Sequence, residues 1–125
     1  MKNYVALGAG LLAGTVIGAA AVTGLHAQPR HPVYLITEID VFELEGYENQ
    51  FIQNVQASIK AAGGKLLALG GPITSIEGTA PKRVTIQQWN SLEALKSWYN
   101  SREYQDVLIV GKRYANFRRY AVEGQ

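Results

Sequence analysis

Two carboxylates in an otherwise largely apolar segment are the first residues that could take part in catalysis. Glu38 and Asp40 lie in residues 33–41, whose β-branched side chains predict a strand. Residues two apart on a strand face the same side, about 7 Å from each other. A carboxylate pair at that spacing could carry out general acid–base catalysis. The alternative is that both are solvated residues at the wet end of the strand.

The composition narrows the chemistry that this chain can support. The 125 residues contain no cysteine, which excludes disulfides, thiolate nucleophiles, zinc–thiolate sites and iron–sulfur clusters. The two histidines, His26 and His31, lie near the N-terminal end, so a histidine-rich metal site within one chain is not expected. We therefore expect no metal and no cofactor. The net charge of +2 is too small to suggest binding to nucleic acid.

Residues 1–27 have the composition of an export signal or a membrane anchor. No residue from Asn3 to Leu25 is charged, and Lys2 supplies a thin positive start. The apolar run of about 21 residues is longer than a usual signal sequence core and long enough to span a bilayer as a helix. Ala27 is an acceptable small residue at a cleavage point. We expect a cleaved signal peptide, with an uncleaved N-terminal anchor and a helix of the soluble domain as alternatives.

Either membrane interpretation places the remaining residues outside the cytoplasm, in the periplasm or secreted, or tethered to the membrane only through residues 1–27. Residues 28–32 are predicted to form a short linker, because two prolines keep this segment extended. Residues 33–125 are long enough for one domain.

Within that domain, β-branched and alternating segments predict strands, and apolar residues three or four apart predict helices. The strands are predicted at 33–41, 65–69 with a continuation at 73–76, 83–89 and 117–123. The helices are predicted at 43–62 and 92–99, followed by a turn that Ser101 caps. Asn90 and Glu93 have the spacing of a capping box at the second helix.

The order β-α-β-β-α-β is the ferredoxin-like pattern of an α+β domain, an antiparallel sheet with both helices on one face. The other face of such a sheet needs cover, which a second copy related by a two-fold axis could supply. A domain of this size buries only roughly 60–65% of its unfolded surface and would gain stability from dimerisation.

Several short motifs follow one another along the domain: Gly64-Lys65-Leu66-Leu67, Gly70-Gly71, Glu77-Gly78, Pro81-Lys82-Arg83-Val84, Ser91-Leu92-Glu93, Trp98-Tyr99-Asn100-Ser101-Arg102-Glu103-Tyr104-Gln105 and Val122-Glu123-Gly124. Taken in this order, over about residues 33–124, they resemble the domain of unknown function 1330 family. The resemblance implies membership of the dimeric α/β barrel superfamily, in which the sheets of two ferredoxin-like protomers pack together. The family's own function is unassigned, so the resemblance implies a fold and a homodimer but no reaction.

Relatives in that wider superfamily bind hydrophobic or aromatic compounds between sheet and helices, and they include cofactor-free oxygenases and heme-degrading enzymes. By this resemblance, the candidate ligand-binding residues are Tyr34, Glu38, Arg83, Trp89, Trp98, Tyr99 and Tyr104. Aromatic walls with one arginine and one carboxylate suit a flat, weakly acidic organic molecule. The alternative for each residue is a structural role, since aromatic side chains supply much of a small core. Heme is disfavoured because the domain offers no histidine ligand within the folded pattern.

The sequence thus predicts an exported, dimeric α/β barrel protein that binds a small organic molecule, aromatic or weakly acidic. Two alternatives stay open: a non-catalytic envelope stress or interaction module, and a cofactor-free monooxygenase-like enzyme. The presence or absence of a cleft in the interior distinguishes an enzyme from a non-catalytic module. An enzyme needs a closed cleft of roughly 300 Å³ or more with convergent polar groups. A filled interior, or one whose polar groups are all salt-bridged, favours the module.

Overall fold

A four-stranded antiparallel sheet forms the centre of the computed structural model, which describes residues 31–125. Its strands are β1 (Val33–Val41), β2 (Lys65–Leu69), β3 (Val84–Trp89) and β4 (Ala115–Glu123), in the spatial order β2-β3-β1-β4. The α+β class and the antiparallel sheet are confirmed, and β1 and β2 have the predicted bounds. The predictions made for residues 1–27 and for most of the linker lie outside the described residues.

The two faces of the sheet differ in what covers them. Alternate residues of the central strands are buried, and the helix residues Ile59, Leu95 and Leu108 pack against this covered face. The buried strand residues are Val33, Leu35, Thr37 and Ile39 in β1 and Thr85, Gln87 and Trp89 in β3. The covered face is therefore unexpectedly polar, because three of these seven side chains carry a hydroxyl or an amide.

The first helix, α1, comes after β1 and contains a π-helical turn. It consists of Leu44–Gly46, the π-helical turn Tyr47–Ile52, and Gln53–Ala61. The Glu43 carboxylate caps its start by accepting a hydrogen bond from the Gly46 N–H at 2.7 Å. The helix predicted at 43–62 is confirmed in position, but the apolar spacing gave no indication of the π-helical turn.

Two further helices separate β3 from β4. They are α2 (Leu92–Tyr99) and α3 (Arg102–Gly111). Ser91 caps α2 by accepting from the Ala94 N–H at 3.1 Å, so the prediction of Asn90 as the cap was one residue too early. Ser101 caps α3 as predicted, but α3 is a helix of ten residues and not a single turn.

The strand predicted at 73–76 does not form. β2 lies at the edge of the sheet and ends at Leu69, after a bulge between Leu66 and Ala68. Gly70 then takes a φ of +68°, which turns the chain away from the sheet. The residues beyond it find no neighbouring strand to pair with, and Ile76 is 93% exposed. A β-branched run alone therefore does not make a strand without a partner.

Aromatic side chains make up much of the core between the sheet and the helices. Trp89, Trp98 and Tyr104 are all buried, with ring centroids 5.3 Å apart for the two tryptophans and 4.1 Å apart for Trp98 and Tyr104.

Within residues 31–125, no helix is both long and apolar enough to cross a membrane.

Candidate functional site

A row of polar residues crosses the covered face of the sheet. Thr37 of β1 is in register with Thr85 of β3 on one side and with Arg119 of β4 on the other. All three side chains point toward the helices because residues in register across a sheet share a face. This polar row forms a floor beneath α1.

A small cavity lies between the polar row and the π-helical turn of α1. Its volume is about 30 Å³, enough for roughly two water molecules. Its polar lining residues are Thr37, Tyr47, Thr85, Gln87, Tyr104 and Arg119. Its apolar lining includes Ile39, Phe51, Ile52, Val55 and Phe117. We refer to it as the interior cavity.

Arg119 lies among aromatic rings at one side of the interior cavity. Its guanidinium carbon is 4.4 Å from the ring centroid of Phe117 and 5.7 Å from those of Tyr99 and Tyr104. Its Nη2 donates a hydrogen bond to the Tyr104 hydroxyl at 2.5 Å. The rings hold the guanidinium through cation–π attraction, which restricts its orientation.

Tyr104 is buried completely, and this fixes its protonation state. Burial raises the pKa of Tyr104 to about 12, although the nearby charge of Arg119 acts in the opposite direction. The phenol is therefore neutral at neutral pH. Because its oxygen already accepts from Arg119, its own proton is available for donation.

A second guanidinium, that of Arg83 just before β3, lies beside the cavity residue Tyr47. The guanidinium carbon of Arg83 lies 5.2 Å from the ring centroid of Tyr47, which is itself buried. Burial raises the pKa of Tyr47, the charges of Arg83 and Arg119 both oppose that rise, and the charge of Glu48 adds to it. The positive charges of Arg83 and Arg119 therefore both act on the Tyr47 phenol.

Two further groups in the interior cavity have hydrogen-bonding capacity to spare. The Thr37 hydroxyl is buried and has no hydrogen-bond partner among residues 31–125. The Gln87 amide oxygen accepts from the Trp89 indole N–H at 2.9 Å, which leaves the Gln87 NH₂ group to donate. Buried polar groups are nearly always paired, so the unpaired hydroxyl requires an explanation.

Neither Arg119, which lines the interior cavity, nor Arg83, which lies over Tyr47, has an acidic partner among residues 31–125. Across the described part of the chain, the ion pairs are Arg118 with Glu38 at 2.8 Å and Arg102 with Asp106 at 4.0 Å. Arg83 and Arg119 belong to neither pair. The interior cavity therefore has one positive charge in its lining and a second beside Tyr47, and no carboxylate of residues 31–125 neutralises either by a salt bridge.

The structure places two of the predicted site residues on the other face of the sheet. Tyr34 and Glu38 alternate with the buried residues of β1 and point away from the helices. Glu38 accepts hydrogen bonds from the Tyr120 hydroxyl at 2.7 Å and from Arg118 at 2.8 Å. These bonds, that from Tyr120 foremost, lower the pKa of Glu38. Glu38 and Asp40 both line a pocket on this open face, and the side-chain hydrogen bonds of Glu38 are with Arg118 and Tyr120.

The other five predicted residues lie on the helix side of the sheet. Trp89 and Trp98 pack in the core, and the Trp98 indole N–H donates to the Ser58 hydroxyl at 3.1 Å. Of the remaining three, Tyr104 lines the interior cavity, Tyr99 lies near Arg119, and Arg83 lies over Tyr47. The structure thus brings Tyr99 and Tyr104 together around Arg119, places Arg83 beside Tyr47, and puts Tyr34 and Glu38 on the opposite face.

Sequence reasoning missed Thr37, Tyr47, Gln87 and Arg119. The available signal was the alternation of β4, which puts Arg119 on the same face as Phe117, an unusual position for an unpaired arginine. The register that sets Arg119 beside Thr37 depends on strand pairing over long separations, which one sequence does not reveal. No group of residues within 31–125 has the arrangement of a metal site.

Comparison with known families identifies the domain. The family model described as Domain of unknown function (DUF1330) matches residues 32–125. The chain belongs to the DUF1330 family. The resemblance inferred from the sequence motifs is confirmed, over nearly the range from which it was inferred. No curated protein matches this chain.

Solved structures share the fold of this DUF1330 chain. The RPA0582 protein of unknown function from Rhodopseudomonas palustris aligns with a TM-score of 0.61 at 11% identity, covering 86% of this chain and 92% of that one. Its methylated form gives a TM-score of 0.60 at 11% identity, with coverages of 86% and 90%. A Bacteroides thetaiotaomicron protein of unknown function, described as a possible oxidoreductase, reaches only 0.49 at 14% identity, covering 75% and 98%. At these identities the likeness concerns the fold alone.

Proposed function

We propose that the DUF1330 domain of this chain binds a small organic molecule in the interior cavity, as a homodimer. The observation that carries the proposal is the Thr37 hydroxyl, which is buried without a partner in a cavity lined by other hydrogen-bond donors. Leaving such a group unsatisfied costs about 1–3 kcal/mol. A bound molecule that accepts a hydrogen bond from Thr37 would remove that cost.

The size of the interior cavity limits what it holds in this conformation. About 30 Å³ is far below the roughly 300 Å³ of a drug-sized ligand site. A molecule larger than a few heavy atoms would have to displace Tyr47, Phe51 or Ile52, which form one wall. All three belong to the π-helical turn, and π-helical turns occur frequently at functional sites. We infer that this wall is where the cavity widens.

The lining chemistry supports binding rather than acid–base catalysis. Proton abstraction needs a group that is basic near neutral pH. The cavity lining contains no histidine, aspartate or glutamate, and Glu38, the predicted carboxylate, lies on the opposite face. The monooxygenase-like alternative would therefore depend on Arg83 or Arg119 to stabilise a substrate anion. The non-catalytic module remains the alternative if the cavity binds nothing.

The open face of the sheet supports the homodimer. There a row of residues in register crosses all four strands: Ala68, Ile86, Ile36 and Tyr120. Tyr120 is 47% exposed and the neighbouring Val122 is 49% exposed. An apolar row on an open sheet face needs cover. A second copy packed about a two-fold axis would provide the same row in return.

We further propose that the domain works outside the cytoplasm. The support is the uncharged apolar segment that precedes the domain, which has the composition of a signal peptide or of an N-terminal anchor. Sequencing the N-terminus of the protein isolated from its own host distinguishes the two. An N-terminus near Gln28 indicates cleavage, and an intact Met1 in a detergent-extracted fraction indicates an anchor.

Native mass spectrometry of protein isolated gently from its host tests binding and dimerisation together. We expect a dimer that carries added mass, and we expect Thr37→Val to lose that mass. Thr79→Val is the matched control, because Thr79 lies in the exposed loop before β3. The binding proposal fails if the wild type carries no added mass and is not stabilised by acetate, acetamide, benzoate or benzamide. A monomer would refute the dimer alone.

A further inference from the structure

We propose that the ligand of the interior cavity is a small oxyanion, most simply a monocarboxylate, bound by Arg119, Tyr104 and Thr37. This inference rests on the proposed function and names the chemical class that it left open. It is supported by three independent properties of the site: its charge, the direction of its hydrogen bonds and its volume.

The charge of the site lacks a counter-ion. Arg83 and Arg119 are both partly buried, and neither forms a salt bridge within residues 31–125. Both charges act on Tyr47, which lines the interior cavity. Partly desolvated guanidinium groups are stabilised by a carboxylate, for which their planar arrangement of N–H donors is suited. The one acidic side chain that acts on Tyr47, Glu48, is exposed on α1 and does not line the cavity.

The free hydrogen-bonding groups of the site can all donate. Arg119 has only donors, the Tyr104 oxygen is already occupied by Arg119, and the Gln87 oxygen is occupied by Trp89. The Thr37 hydroxyl can donate once a partner is present. A carboxylate accepts hydrogen bonds and donates none, so it is complementary to this set. A neutral amide offers one acceptor oxygen and no charge to these donors, and a cation would be repelled by Arg119.

The volume favours a small anion over a large one. A cavity of about 30 Å³ has room for a group of two or three heavy atoms, such as a carboxylate head. A longer acid would place its carboxylate on Arg119 and its body against Tyr47 and Phe51, and would need the π-helical turn to move. We therefore expect an aromatic acid to bind only if this wall opens.

The bound anion is held without proton transfer. Burial keeps the phenols of Tyr47 and Tyr104 protonated, and arginine stays charged across the accessible pH range. No lining residue is available to take a proton at neutral pH. The site thus recognises an acid that is already ionised in solution.

The inference is tested by comparing acids with their uncharged amides. Thermal melting and calorimetric titration are carried out on the full chain with sodium acetate, acetamide, sodium benzoate and benzamide, with sodium chloride holding the ionic strength constant. We expect saturable binding of acetate and little effect of acetamide. Binding of benzoate as well would indicate that the π-helical wall opens. Equal or tighter binding of acetamide would overturn the anion and leave the binding proposal intact.

Variants identify the site. Arg119→Met should weaken acetate binding by at least about tenfold, the usual worth of a charge-assisted hydrogen bond. Arg113→Met is the control, because Arg113 is exposed in the turn before β4. If Arg119→Met does not fold, Tyr104→Phe, which removes one hydroxyl, takes its place with the same expectation of weaker binding. Unchanged affinity in the variant that folds would overturn the assignment.

Failure of this inference and failure of the proposed function give different results. If neither acetate nor benzoate binds, the anion assignment is wrong. Native mass spectrometry then decides the proposed function separately. Added mass of an uncharged molecule on the isolated dimer would support the binding proposal and contradict the assignment of the ligand as an anion.

Discussion

Thr37 and Arg119 lie directly opposite each other on neighbouring strands, on the face of the sheet that the helices cover. One residue earlier, Ile36 faces Tyr120 on the open side. The usual distribution of side chains is thus partly inverted: a polar row lies on the covered face of the sheet and an apolar row lies on the open face. An inversion of this kind is costly for an isolated domain. It becomes favourable if a ligand occupies the inside and a second copy covers the outside.

Thr37→Val should stabilise the protein and impair binding at once. Valine keeps the shape of threonine and removes a buried hydroxyl that has no partner among the described residues. We expect the free energy of unfolding of the ligand-free protein to rise by about 1 kcal/mol. Acetate binding should weaken in the same variant. Urea unfolding and titration measure the two effects, and Thr79→Val should change neither. A destabilised Thr37→Val would indicate that the hydroxyl is satisfied in solution.

Gly70→Ala should strain the backbone at residue 70 and displace the side chain of Arg83. Gly70 has a φ of +68°, and a Cβ there would lie 3.1 Å from Nη1 of Arg83. We expect a loss of about 1 kcal/mol of stability from the strained conformation, together with weaker acetate binding because Arg83 must shift. Gly71→Ala is the matched control, since a Cβ at Gly71 meets no atom of the described chain within 4 Å. Equal stability of the two variants would contradict this role.

The fold was predictable because it depends on local patterns. The alternation along β1 and the Ser101 cap can each be inferred from a few neighbouring residues, and both are confirmed. The continuation of β2 at 73–76 was wrong because a strand also needs a partner, and β2 lies at the edge of the sheet. Local propensity cannot show where an edge lies.

The site was less predictable because it depends on register. Glu38 was chosen for its charge and its spacing from Asp40, but its partners Arg118 and Tyr120 come from β4, about eighty residues later. Arg119 was missed for the same reason. Its closeness to Thr37 results from the pairing of β1 with β4, which brings together the two ends of the domain.

Trp98→Ala should destabilise the fold more than it affects any ligand. Trp98 is 3% exposed, stacks between Trp89 and Tyr104, and donates to Ser58. Truncation should cost about 3–5 kcal/mol of unfolding free energy. Trp98→Phe, which keeps much of the ring contact, should cost less. Denaturant unfolding measures both. Melting like that of the wild type with loss of acetate binding would instead assign Trp98 to the site.

Ile86→Lys should dissociate the proposed dimer without unfolding the protomer. Ile86 lies in the middle of the apolar row on the open face, in register with Ile36 and Ala68. A lysine there would place a charge at the centre of the interface, where like charges from the two copies would meet. Analytical ultracentrifugation should show a monomer, with secondary structure retained by circular dichroism. Gln88→Lys, toward the end of the same strand face, should have a smaller effect. A dimer that persists in Ile86→Lys would place the interface elsewhere.

Stability should fall at alkaline pH through Tyr104. Burial raises the pKa of this phenol from 10.0 to about 12, so folding favours the protonated form. A raised pKa gives stabilisation that is complete below the unfolded value and is lost as pH rises toward the folded one. Between pH 10 and about 12, the free energy of unfolding should therefore decline more steeply in the wild type than in Tyr104→Phe. Ultraviolet absorption of tyrosinate gives an independent check, because Tyr104→Phe should remove the last phenol to ionise before unfolding. Identical pH dependence in the wild type and Tyr104→Phe would show that the Tyr104 phenol ionises normally and is not held protonated beside Arg119.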